Sequence, residues 1–169
     1  MRILMSVLAV GLLAGCMGSG GTGMDVVPST STSVERSLAA IDANSSGSFD
    51  QMLNGVRAVN GAEPLSFDNR LARAAQVHAN DMLRNDFFSH TGSDNSEVGD
   101  RVTEQGYTWS RVGENIARGH QSEAAVMRGW TNSPGHHRNN INPNYQDFGL
   151  GKAGSGSSLH WVLVLATPG

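Results

Sequence analysis

The chain has 169 residues, enough for one domain with a substantial core and short for two. Its formal charge is −3, and its twelve basic residues are scattered rather than gathered into a stripe. That distribution excludes the electrostatic footprint of a nucleic-acid partner.

The first residues, MRILMSVLAVGLLAGC, carry Arg2, an apolar run from Ile3 to Leu13, and the small residues Ala14 and Gly15 before Cys16. This order predicts a signal peptide over residues 1–15. The run is too short for a permanent membrane span, which needs roughly 20 apolar residues. LAGC resembles the lipobox of bacterial lipoproteins, which implies cleavage before Cys16 and lipidation of that residue. Losing Arg2 takes the mature chain from −3 to −4. Cys16 is the single cysteine, so no intramolecular disulfide can form. Several acyl chains on one residue anchor a protein to a membrane surface, whereas one chain holds marginally.

Residues 16–48 are rich in Gly, Ser and Thr (GSGGTG, PSTSTS, NSSGS) and read as a flexible tether. VERSLAAI at 34 to 41 has the composition for a helical turn or two, but nothing within the tether would hold it, and it is assigned no element.

The folded domain is expected over residues 49–169. Phe49, Met52, Leu53, Val56 and Val59 recur at intervals of three and four, predicting an amphipathic helix that Gly61 ends. Asp68 is placed to cap a second helix with Leu71, Ala74, Ala75, His78, Met82 and Leu83 on one face, stopping near Asn85. Residues 89–111 are polar and read mostly as loop, with DRVTEQGY as a candidate short helix. Ser122 and Glu123 open a third helix running to Trp130. The GENIA segment reads as a strand, with Glu114 and Ile116 on one face and Asn115 on the other. DFGLGKA and SLHWVLVLA, separated by a Gly/Ser turn, predict a closing hairpin. The fold class is therefore α+β.

SPGHH, residues 133 to 137, holds the most suggestive chemistry. Proline favours the first position of a helix and serine the N-cap before it, so Ser133 reads as a cap. It lies in no GxSxG elbow, which disfavours a nucleophilic serine. His136 falls in the first turn, where the helix dipole favours a neutral imidazole able to bind a metal or accept a proton. His137 lies about 100° further round, so the two rings serve different faces.

Three segments in order, FFSHTG (87–92), GYTWSRVGENIARG (106–119) and GWTNSPGHHRNNINPNYQDFGLG (129–151), resemble the CAP superfamily of cysteine-rich secretory, antigen 5 and pathogenesis-related proteins, and within it the disulfide-free bacterial branch. The resemblance covers residues 49–169. It implies an α-β-α sandwich with a small antiparallel sheet and a central cleft. The family's cleft holds two histidines and two glutamates able to bind a divalent ion, and these map onto His90, Glu114 and His136. The second glutamate's position is Ser133, so the tetrad is here a triad.

The triad implies cleft and ligand contacts from all three residues. His90 and His136 would hold zinc or another divalent cation weakly in an open site, with Glu114 as a third or outer ligand. Glu97 and Asp100, just after His90, are candidate replacements for the missing carboxylate, against the simpler reading of a solvated loop. His78, on the apolar face of the second helix, reads as a satisfied, partly buried residue, His120 and His160 as packing or surface residues, and Asn115, Asn139 and Asn140 as loop-fixing hydrogen bonders.

Three functions follow. The first is a cell-envelope lipoprotein whose cleft binds a lipid or a cell-wall glycan or peptide. The second is a zinc-assisted hydrolase with Glu114 as general base. The third is a structural protein docking on an envelope partner, with the triad as a buried polar network. A binding role without catalysis ranks first. In an envelope with two membranes, Met17 in place of an aspartate favours the outer membrane or periplasmic face over the inner membrane, with the extracellular surface as the alternative location.

Overall fold

The computed structural model describes the chain from Thr30 to Gly169, and the expected signal peptide, Cys16 and the first part of the tether lie outside these residues. In chain order the elements are α1 (Thr30–Ala43), α2 (Phe49–Ala58), β1 (Ser66–Phe67), α3 (Asn69–Arg84), α4 (Val98–Glu104), β2 (Trp109–Arg118), α5 (Glu123–Asn132), α6 (Pro134–Asn140), β3 (Asp147–Ala153) and β4 (His160–Pro168). The described helices are thus six and the strands four, an α+β fold.

The sheet order is β1-β3-β4-β2. β3, β4 and β2 are antiparallel, as the hairpin signal predicts, and the two-residue β1 adds a parallel edge against β3. Period-two alternation on β4 divides the core. Trp161, Leu163 and Leu165 pack with Phe49, Met52, Val126 and Trp130 on the α2 and α5 side. Val162, Val164 and Ala166 pack with Leu71, Ala75, Ala79 and Met82 on the α3 side. Helices therefore cover both faces of one sheet.

Local chemistry fixes the helices where expected. Asp68 accepts hydrogen bonds from the backbone N–H groups of Arg70 (2.7 Å) and Leu71 (3.4 Å), satisfying two free donors of α3. Gly149 and Gly151 let α3 lie directly on β3. A Cβ at Gly149 would stand 2.1 Å from the Ala72 nitrogen, and one at Gly151 would stand 2.3 Å from the Gln76 nitrogen.

The expected tether needs correction, because its second half is α1, packed on α2 and α5. Ile41 and Ser37 are fully buried. Ser37 accepts from the Asn60 side chain (2.8 Å), and Asp42 pairs with Arg128 of α5. Nothing in the tether holds this helix, and the neighbouring helices do. In segment 89–111 the candidate short helix is present as α4, at 98–104, and β2 has already begun at Trp109 where loop was expected.

Candidate functional site

Glu114 sits on β2 opposite Val164 of β4, its side chain on the α3 face of the sheet. Its carboxylate is 2% exposed, and both oxygens are engaged. His90 Nδ1 donates to Oε1 at 2.7 Å, and Arg101 Nη2 donates to Oε2 at 2.9 Å. Arg101 is itself buried and comes from α4. A charge in this position is tolerated only because it is paired and fully hydrogen-bonded.

His90 lies on the loop after α3, and that loop is fixed at several points. Arg101 also donates to the carbonyls of His90 (3.0 Å) and Ser96 (2.7 Å). His78 Nε2 donates to the Ser89 carbonyl at 2.8 Å, one residue before His90. The His90 side chain is 54% exposed, so the ring bridges a buried carboxylate and solvent. With Nδ1–H given to Glu114, its Nε2 is the nitrogen left for a ligand. The hydrogen bond to Glu114 raises its pKa above the usual value, against the opposing effect of burial.

α6 packs against β2 and carries His136 near enough to His90 for a charge on one ring to be felt by the other. Asn115 points away from Glu114, as the strand alternation predicts, and donates to the His136 carbonyl (3.1 Å) and to Asn140 Oδ1 (2.8 Å). Asn139 in turn donates to Asn115 Oδ1 (2.8 Å). Arg57, fully buried on α2, donates to the Asn140 and Asn142 carbonyls at 2.8 and 3.0 Å and clamps the end of α6. His136 is partly exposed, and burial followed by the positive charge of His90 lowers its pKa. His137 faces away from His136, as the helix geometry predicts, and turns inward: it is 4% exposed, with Nε2 3.4 Å from Ser33 Oγ of α1.

Ser133 takes the N-cap position of α6, but its side chain makes no capping bond. Glu97 and Asp100 serve the start of α4: Asp100 accepts from the Glu97 backbone N–H (2.9 Å), and Glu97 accepts from the Thr91 hydroxyl (2.8 Å). Neither replaces the missing cleft carboxylate by bonding to His90. His120 packs against Gly129, and its carbonyl accepts from Trp161 Nε1 (2.8 Å). His160 is buried beside Phe88.

His78 is closer to the site than its apolar helix face suggests. Its Nε2 stands 3.9 Å from Glu114 Oε1, yet burial lowers its pKa more than Glu114 raises it. We read it as a neutral neighbour that holds the loop, not as an ion-pair partner. Arg101 has no distinctive sequence signal beyond an arginine inside a short polar helix, and its role emerges from the fold alone. Among the described residues, no group of three or more His, Cys, Asp or Glu side chains is arranged to hold a metal ion.

Helices on both faces of one sheet, with His90 paired to Glu114 at its β2 edge, give the α-β-α sandwich that the motif resemblance implies. The profile described as "Cysteine-rich secretory protein family" (CAP) matches residues 51–165, and the chain belongs to this family. Uncharacterized protein YkwD of Bacillus subtilis (strain 168) is 31% identical over 128 residues, covering 76% of this chain and 48% of that protein. Uncharacterized membrane protein YlbC of the same organism is 33% identical over 100 residues, 59% of this chain and 29% of that one. The chain therefore spans less than half the length of either relative. Among solved structures, an extracellular protein containing a SCP domain from Bacillus anthracis is 28% identical with a TM-score of 0.66, over 70% of this chain and 38% of that one. An outer surface protein from Borrelia burgdorferi shares the fold at 19% identity and a TM-score of 0.63, over 69% of this chain and 87% of that one.

Proposed function

We propose that this protein is a lipid-anchored envelope protein whose CAP domain binds a lipid or cell-wall component at the His90/Glu114/His136 rim without catalysing a reaction. One observation carries the choice of binding over hydrolysis: both oxygens of Glu114 are committed, one to His90 and one to Arg101, and the carboxylate is 2% exposed. A general base needs a lone pair within reach of the proton it takes. Glu114 instead orients His90, the relation that carboxylates bear to metal-binding histidines.

The rim fits a divalent cation modestly. His90 Nε2 and the His136 ring would hold it, Glu114 would support His90 from behind, and the cation would bridge to an anionic ligand group. Two imidazole donors make a weak, open site. The envelope location follows from the expected lipidation of Cys16 and agrees with the extracellular and outer-surface descriptions of the structural relatives.

The test is co-sedimentation of the purified protein with cell-wall sacculi and, separately, with phospholipid vesicles, beside a His90→Ala/His136→Ala variant. Saturable binding to one material, lost in the variant while the melting temperature holds, supports this reading. Equal binding by both proteins, or none by either, removes its support.

A further inference from the structure

A second groove lies at the opposite edge of the sheet from Glu114. Glu114 belongs to β2, the last strand in the sheet order, whereas this groove is built on β1 and β3, the first two. Its volume is about 450 Å³, within the range of about 300–1,000 Å³ typical of small-molecule sites. Its walls are aromatic and aliphatic: Phe49, Phe67, Phe148 and Leu150. Phe67 meets Phe148 edge-on with ring centres 5.6 Å apart, and Phe148 lies 6.1 Å from Phe49. Phe49 and Phe148 are buried, but Phe67 is 55% exposed, so the aromatic cluster opens to solvent at one ring.

The rim carries charge of one sign. α2 and α5 both begin over the groove, and each places a carboxylate in its first turn, Asp50 and Glu123. Helix dipoles favour carboxylates there, which accounts for their local placement. Those partial positive charges, and the Ser48 hydroxyl that donates to Asp50, offset the two carboxylates only in part. Among the described residues neither Asp50 nor Glu123 forms an ion pair, and no Arg, Lys or His lines the groove.

Aromatic faces attract cations through their quadrupole, and an adjacent carboxylate adds Coulomb attraction while repelling anions. We infer that this groove binds a ligand carrying an ammonium group on an apolar chain, the cation near Asp50 and Glu123 and the chain over Phe67, Phe148 and Leu150. The site is independent of the His90 rim and requires none of its residues.

Three probes with one tail separate charge from apolarity: octyltrimethylammonium, octyl sulfate and octanol, each titrated into the full chain while the Phe67 ring and Leu150 methyl resonances are followed. The ammonium is expected to saturate with shifts centred on those two residues and to bind more tightly than octanol. The sulfate is expected to be weakest. Asp50→Asn/Glu123→Gln should weaken the ammonium roughly tenfold and leave octanol unchanged, the size expected for two partly exposed charge contacts. Phe67→Ser, a surface change that leaves the core intact, should weaken both. Equal binding of ammonium and sulfate, an unchanged ammonium affinity in the charge variant, or shifts absent from Phe67 and Leu150 would each overturn the inference.

Discussion

Replacing Arg101 with methionine tests the physical core of the site. The Arg101–Glu114 contact is 2.9 Å long, with side chains 4% and 2% exposed. At an effective dielectric of about 20, two unit charges at that distance attract by about 6 kcal/mol. Desolvation of both charges offsets much of that, so the pair itself contributes little net stability, but removing one partner strands the other. Breaking a buried pair costs about 3–5 kcal/mol, and here the change also deletes the bonds to the His90 and Ser96 carbonyls. Arg101→Met should therefore lower unfolding free energy by about 3–5 kcal/mol in urea denaturation at neutral pH. Adding Glu114→Gln removes the stranded charge, and the double variant should recover most of the loss. A single variant costing under about 1 kcal/mol would show that Glu114 finds water or another partner. A double variant as damaging as the sum of the singles would show that the pair is not the relevant interaction.

Other expectations address the remaining links. His90 should titrate above the ordinary imidazole value by NMR, because Glu114 stabilises its charged form; Glu114→Gln should bring it down. Since the folded-state pKa is the higher one, this contribution to stability is complete below the unfolded value and fades as pH rises through the folded one. Gly149→Ala would drive a Cβ into the α3 backbone at Ala72 and should cost about 3 kcal/mol or more in denaturant unfolding. Gly135→Ala, where nothing lies within 4 Å, should fall within about 0.5 kcal/mol of the parent. Ile41→Ala, at a fully buried position on α1, should destabilise the domain by about 2–5 kcal/mol. A negligible effect in urea would show that α1 is not part of the cooperative unit.

Much of this architecture was legible in local pattern. Phe49 to Val56 and Leu71 to Met82 each place apolar groups on one helical face that the structure buries, whereas Val59 and Leu83, expected on the same faces, are 38% and 36% exposed. Asp68 and Ser122 cap the helices their positions suggest. α1 was not legible in the same way, because Val34, Leu38 and Ile41 make a stripe only three residues long inside a Gly/Ser/Thr-rich segment. Its stability comes from packing on α2 and α5, which no local window contains. The site divides similarly. Motif resemblance singled out His90, Glu114 and His136, and strand alternation correctly turned Asn115 away from Glu114. Arg101 escaped because a lone arginine reads as surface until the fold buries it against a carboxylate thirteen positions away. His78 was placed in the core correctly, but its bond to Ser89 depends on a loop path that sequence does not specify.

The most direct test of the binding account follows the imidazole resonances of His90 and His136 during a zinc titration of the full chain. A shared rim predicts that both rings respond together, reach one end point at one ion per chain, and do so at weak affinity. Response of one ring alone, or of neither, would contradict the claim that these two histidines form a single site.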